Sequence, residues 1–309
     1  MNFTERLLNL ITAAVTQCVH VYFSKFKVTN IFKLKYPLKM KQIDDIWNIA
    51  QESQSIIANN IPLLDFSSPT SNMIYNVAGI TVNRENVKLD VKFKNIAEIN
   101  DNFFLITFGS IAKTSDMPIS MKISLFNAFK YFPNTTFILK YENIKKDIFR
   151  YSGNVFLVKW LPQLSLMSHK NYKGIITHGG WSSMLESLIN GKPMILMPLF
   201  ADHGKNAKII EQKNLGLLIN KMNINSETFS DSIKKLSVND YYENNCKKYA
   251  SMLLKPGPID SEKMISHVVK ISLNGNRKKF LKIKSPNILN IYFVDTFFFL
   301  LIFIFIFSN

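Results

Sequence analysis

Residues 160–203 read WLPQLSLMSHKNYKGIITHGGWSSMLESLINGKPMILMPLFADH. Gly174 to Thr177 is a short apolar run suited to a buried strand, and His178-Gly179-Gly180 follows it directly. Ser182 to Ile189 then has the composition of a helix, closed by Gly191, and Met194 to Met197 is the next apolar run. Lys205 to Lys213 reads as a second helix and Gly216 to Ile219 as a further strand. Short apolar strands alternating with helices across glycine-bearing turns imply an α/β fold, with a parallel sheet covered on both faces.

The same rhythm extends outward. Upstream, Phe103 to Phe108 is a continuous apolar strand followed at once by Gly109-Ser110. Ile119 to Phe132 reads as a helix closed by Pro133-Asn134, and Thr136 to Tyr141 and Val155 to Val158 as strands. Downstream, Thr228 to Leu236, Tyr241 to Leu254 and Ser261 to Leu273 read as closing helices. Before residue 98 the pattern is different. Residues 1–60 are helical in spacing, with a loop among Lys33, Lys35, Lys39 and Lys41 around Pro37. Asp44 to Asn59 is expected to be a helix, with Ile46, Trp47, Ile49 and Ala50 on its apolar face. Ile61 to Phe66 and Met73 to Ile80 are strand candidates, and the charged stretch 81–101 reads as a linker with a short exposed strand or helix. Leu7 to Phe23 is apolar but interrupted by Thr12, Thr16, Gln17 and His20, so an amphipathic helix of a folded domain is expected there rather than a signal peptide. Ile288 to Phe307 is long enough to cross a bilayer as a helix, and its core from Phe297 to Phe307 carries no charge. A single membrane anchor is expected at that end.

Lys and Arg number 38 against 22 Asp and Glu, a formal net charge of +16. That balance favours anionic partners such as nucleotides, phosphates or an anionic membrane, or else reflects a solvated Lys-rich surface. The lysines are scattered and no nucleic-acid-binding signature appears, so no nucleic acid partner is expected. Two cysteines, Cys18 and Cys246, exclude a disulfide scaffold and a Cys-based zinc site.

In open parallel α/β sheets, ligands bind beyond the carboxyl ends of the strands. Four polar or glycine-rich segments fall there: Gly109-Ser110, Trp160 to Gln163, His178 to Ser183, and Asp202-His203. Glycines at 179 and 180 let the backbone approach a ligand, and Ser182 and Ser183 are expected to cap a helix whose free amides suit a phosphate. His178 adds a donor for the charge on a leaving diphosphate. The plainer reading of that segment is a strand-to-helix turn. Trp160, set before Leu161-Pro162, is a platform for a stacked base, although a lone Trp is more often a core residue. Gln163 can pair with an amide edge. Glu186, one helical turn beyond Ser182, can accept bonds from ribose hydroxyls, or is a surface glutamate.

The stretch from Trp160 to His203 resembles, without gaps, the signature of the UDP-glycosyltransferases. IPLLDFSSP (61–69) followed by YNVAGI (75–80) is similar to the end of the acceptor-binding domain of animal UDP-glucuronosyltransferases. FLITFGSIAK (104–113) is similar to the first strand and loop of their donor domain, and Met1 to Arg6 to an internal stretch of theirs. The C-terminal segment introduced by Tyr292 and Asp295 resembles their membrane anchor. The resemblance implies a GT-B-like fold in three parts: 1–97, the remnant of the acceptor domain and linker; 98–285, a complete Rossmann-like donor domain; and 286–309, a transmembrane anchor. It implies that Trp160 stacks on uracil and Gln163 contacts the uridine. His178, Gly180, Ser182 and Ser183 then hold the diphosphate with Ser110 nearby, Glu186 binds the ribose, and Asp202 with His203 binds sugar hydroxyls. The implied reaction is inverting transfer of a glucuronosyl or glucosyl group from a UDP-sugar to a small lipophilic acceptor. No metal or cofactor is implied beyond the UDP-sugar co-substrate.

Two positions depart from the family's commonest form: Ser182 stands where Asn is usual, and His203 where Gln is commoner. The chain is also shorter than family members. Their acceptor-activating histidine lies in the front of the acceptor domain, and His20, the one histidine before residue 98, has no matching motif around it. The expectation is therefore a truncated chain that binds UDP-sugar better than it uses it. The alternative is a catalytically inactive membrane partner that binds UDP-sugar or a full-length relative. The family's compartment is the lumen of the endoplasmic reticulum, whereas Arg277, Lys278, Lys279, Lys282 and Lys284 before the anchor favour a cytosolic globular part. Homo- or hetero-oligomer formation stays open.

Overall fold

A computed structural model of the chain describes residues 3–37, 46, 50, 53–67, 70–79, 88–144, 153–254 and 261–273. The described residues fall into two compact units, one drawn from Met1–Ala58, Pro69–Tyr75 and Ile265–Asn309, the other from Asn59–Ser68 and Asn76–Met264.

In the first unit, α1 (Phe3–Val21) continues through a π-helical stretch, Tyr22–Val28, into α2 (Thr29–Lys35). The expected burial of an apolar face in a folded domain is not found: Phe3, Leu8, Leu10, Ile11, Val15 and Phe23 are all at least half exposed. The helical run Leu7–Lys35, 29 residues, is long and apolar enough to cross a membrane by length and composition. The helix expected over Asp44–Asn59 is helical at Ile46 and Ala50, but Ile56–Ala58 forms a strand, β1, which pairs with β2 (Ile74–Asn76). The anchor expected at 286–309 lies outside the described residues.

The second unit is built on a six-stranded, wholly parallel sheet. Its strands are β3 (Asn102–Thr107), β4 (Thr135–Lys140), β5 (Val155–Val158), β6 (Tyr172–Thr177), β7 (Met194–Leu196) and β8 (Gly216–Leu218). They lie in the order β5-β4-β3-β6-β7-β8. The central register sets Phe104 beside Phe137 on one side and Gly174 on the other. Successive residues of a strand face opposite sides of the sheet, which divides the core in two. Phe103, Leu105, Ile138, Ile175 and Met194 pack beneath one face. Phe104, Ile106, Phe137, Ile176 and Ile195 pack on the other.

Helices cover both faces. On the first, α6 (Trp181–Ile189) contributes Met184, Leu185 and Leu188, α7 (His203–Gln212) Ala207 and Ile210, and α9 (Asp240–Leu253) Cys246. On the second, α4 (Ile119–Lys130) contributes Leu125, Phe126 and Phe129, and α8 (Ser226–Val238) Phe229, Ile233 and Leu236. The Phe129 and Phe137 rings stack with centroids 4.1 Å apart, a geometry worth about 1 kcal/mol beyond the area it buries. Further helices among the described residues are α3 (Val91–Ala97) and α5 (Gln163–Met167) in this unit, and α10 (Ser261–Leu273), most of which belongs to the first unit.

Two expectations ahead of the sheet need correction. Ile61–Phe66 is not a strand: Pro62–Leu64 is a 3₁₀ turn, in keeping with a proline that cannot donate to a ladder. Leu64 inserts into the core instead. Of the stretch read as linker, the described part from residue 88 is not merely exposed, since α3 buries Ile96 and Ala97 in the same core. The second unit takes up 59–68 and 76–264.

Candidate functional site

The strand order runs outward from β3 in both directions, so the chain reverses between β3 and β6, and a crevice opens at the carboxyl ends of these two strands. Gly109 follows β3 and His178 follows β6. Gly109 has φ +91°, a conformation that glycine adopts without strain. A Cβ there would stand 2.8 Å from His178 Nε2, and one on Gly180 would stand 2.7 Å from the same atom. The two glycines form the slot in which the His178 ring sits.

A cleft of about 510 Å³ lies at this point, lined among others by Ser110, Lys140, Trp160, Gln163, Ser183 and Glu186. Trp160 is 69% exposed, so it is not a core residue. Gln163 opens α5 and its Nε2 donates both to Ser183 Oγ at 3.1 Å and to Glu186 Oε2 at 2.5 Å. Burial raises the Glu186 carboxyl above its ordinary pKa, with the Gln163 bond acting against it. The network joins α5 to α6 and holds an amide, a hydroxyl and a carboxylate along one wall.

At the base of α6 the expected capping differs. Gly180, not a serine, is the N-cap, and no side chain caps the helix. Ser182 and Ser183 lie in the first turn. The first helical bond runs from Met184 N–H to the Gly180 carbonyl at 3.1 Å. The amides of Trp181, Ser182 and Ser183 therefore precede the i→i−4 ladder and point out of the helix end, where the dipole favours an anion.

His178 and His203 meet edge to face, ring centroids 4.5 Å apart. Burial, aided by the neighbouring His203, pushes the His178 pKa down to about 4, so the ring is neutral at pH 7. Its Nδ1 shares a 3.0 Å hydrogen bond with Thr177 Oγ1. His203, expected at the sugar hydroxyls, is the buried first residue of α7, with its ring 4.7 Å from that of Phe200. Asp202 is the exposed N-cap of α7 and its Oδ2 accepts from Asn206 Nδ2 at 2.8 Å. The ten residues singled out in the sequence thus divide. Ser110, Trp160, Gln163, Ser183 and Glu186 line the cleft. Gly180 and Ser182 stand at the α6 terminus, His178 and His203 pack together beneath it, and Asp202 starts the next helix.

Two residues escaped the sequence reading. Lys140 ends β4 and is 8% exposed. Its Nζ donates to the Gly109 carbonyl at 2.7 Å and lies 5.2 Å from the centroid of the Trp160 ring. A lysine closing an otherwise apolar strand was the available signal. Asn206 is buried and also donates to the Gly179 carbonyl at 3.0 Å, tying α7 to the glycine turn. Its signal was the four-residue spacing from Asp202. Among the described residues no group of three or more His, Cys, Asp or Glu is arranged to hold a metal ion.

Residues 1–261 match the family described as UDP-glucoronosyl and UDP-glucosyl transferase. The Caenorhabditis elegans protein ugt-50 is 26% identical over 98% of this chain and 58% of its own length. Human UDP-glucuronosyltransferase 1A8 is 26% identical over 84% of this chain and 47% of its own length. The chain therefore spans about half the length of these curated relatives. Among solved structures, the spinosyn forosaminyltransferase SpnP matches with a TM-score of 0.58 at 14% identity, over 71% of this chain and 55% of its own. That likeness shows the parallel α/β fold of the GT-B glycosyltransferases.

Proposed function

This chain belongs to the UDP-glucoronosyl and UDP-glucosyl transferase family, and from that membership we propose that its cleft binds a UDP-sugar whose hexosyl group passes to a small lipophilic acceptor. The observation that carries the reading is the Gln163, Ser183 and Glu186 network beside an exposed Trp160, at the point where the strand order reverses. Uracil stacks on Trp160 and pairs with Gln163, and Glu186 accepts from the ribose hydroxyls. The diphosphate takes the free amides of the α6 terminus, with Ser110 and neutral His178 nearby. Asp202, at the start of α7, receives the sugar.

In the transfer, the acceptor oxygen attacks the anomeric carbon as the bond from that carbon to the β-phosphate oxygen breaks. The configuration inverts, UDP leaves with the electron pair, and the acceptor proton goes to a base. Helix amides facing the departing diphosphate stabilise its charge without reorganising. No metal or cofactor beyond the co-substrate enters this scheme. Membrane attachment through 286–309, in the endoplasmic reticulum, belongs to the same reading. Asn134 stands in an exposed turn and in the sequon Asn134-Thr135-Thr136, so detection of a glycan there would support lumenal exposure.

The test is a UDP titration of the purified chain followed by Trp fluorescence, paired with a transfer assay using labelled UDP-sugar and a phenolic acceptor. Saturable quenching that disappears in Trp160→Ala supports donor binding. No saturation at millimolar UDP overturns it. Binding without transfer assigns the chain the inactive-partner role.

A further inference from the structure

The first turn of α6 borders two recesses. Ser183 lines the nucleoside cleft, whereas Trp181 lines a second recess of about 320 Å³ that also contains Asn60, Asp65, Asp202, Lys205 and Asn206. Residues two apart on a helix point about 200° from one another around its axis. The free amide end of α6 therefore stands between a nucleoside-sized cleft and a smaller polar recess. That is the order of the parts of a nucleoside diphosphate sugar.

The charges of the second recess are two carboxylates and one ammonium, and the ammonium is already engaged. Lys205 Nζ lies 2.6 Å from Asp65 Oδ1. Asp65 is fixed further by the Asn60 amide at 3.1 Å and by the Phe66 backbone N–H at 2.8 Å. Asp202 has one oxygen bonded to Asn206 and the other available to accept from a hydroxyl. A carboxylate entering here meets Asp202 and Asp65, and no lining cation is unengaged among the described residues. The one ammonium is shared with Asp65, so the recess presents a net negative charge to an entering carboxylate and repels it. A neutral hexose meets acceptors and amides that suit hydroxyl groups.

With this recess taken as the hexosyl subsite of the UDP-sugar reading, we propose that the Asp65–Lys205 pair makes it select an uncharged hexose over a hexuronate. The proposal rests on the UDP-sugar reading above. Selection here works by like-charge repulsion against the wrong ligand as much as by fit to the right one.

Calorimetric titration of the full chain with UDP, UDP-glucose and UDP-glucuronate tests it. UDP-glucose is expected to bind about tenfold more tightly than UDP-glucuronate. Asp65→Asn, which frees Lys205, is expected to close most of that gap by strengthening UDP-glucuronate binding. Lys205→Met, at an exposed position, is expected to widen it. Thermal melting of each variant establishes that it is folded. Equal or tighter binding of UDP-glucuronate by the unsubstituted chain overturns the proposal, as does a ratio unchanged in both variants. Failure to bind UDP itself overturns the donor-site reading along with it, whereas UDP binding without discrimination overturns the selection alone.

Discussion

The ammonium of Lys140 stands 5.2 Å from the centroid of the Trp160 indole while its Nζ donates to the carbonyl of Gly109. One cation thereby ties the proposed base platform to the turn after the central strand. Lys140→Met is expected to release both. A partly desolvated cation–π contact is worth about 1 kcal/mol, so UDP affinity should fall by about fivefold. Fluorescence titration of the variant measures this, and an unchanged affinity would show that Trp160 needs no such support.

Glu186 carries opposite consequences for stability and for binding. Its folded pKa is raised by burial. A carboxyl whose folded pKa exceeds its unfolded value contributes stability that is present at low pH and lost as pH rises through the folded pKa. Glu186→Gln removes this loss. The variant should melt above the unsubstituted chain at pH 7 and approach it under acid conditions, while binding UDP more weakly. A variant that melts lower at pH 7 would count against burial as the governing influence.

His178 predicts a dependence of the other sign. Its folded pKa of about 4 lies below the ordinary 6.5. The unfolded chain takes up a proton first as pH falls, so this stabilising contribution is complete above pH 6.5 and is lost between 6.5 and about 4. Thermal melts across that interval should fall less steeply in His178→Gln. Histidine NMR signals offer a direct check, since the His178 ring should remain neutral at pH 5.5.

The slot around His178 can be probed at either wall. Gly109→Ala combines a positive φ with a Cβ placed 2.8 Å from Nε2, so a loss of about 2 kcal/mol is expected in denaturant unfolding. Gly180 has φ −63°, so Gly180→Ala meets the crowding alone. It should lower stability less and still weaken UDP binding, because the displaced ring lies beneath the α6 amides. Equal losses from the two substitutions would mean that backbone strain at Gly109 contributes nothing.

Most of the α/β unit was legible because parallel strands buried on both faces are written as continuous apolar runs. Phe103 to Phe108, Thr136 to Tyr141 and Val155 to Val158 each fell within one or two residues of the observed strands, and the helices between them were bounded by Gly, Pro and Asn. Short elements were not legible. β1 has three residues, too few to show a period, and Pro62–Leu64 has the apolar composition of a strand but turns because of its proline.

The sequence by itself determined the alternation of strands and helices, the polar segments that follow the strands, and the family those segments mark. Chemical type and order along the chain are enough for that. The tertiary structure decided which of those residues share a cavity. Lys140 is a cleft residue because β4 lies beside β3, which brings its ammonium to the carbonyl of Gly109, a residue far from it along the chain. His203 is withdrawn from the surface because α7 begins under the glycine turn and presses its ring against His178. Asp65 and Lys205 pair across 140 positions. Such pairings depend on strand order and helix packing, which no local pattern of residues encodes.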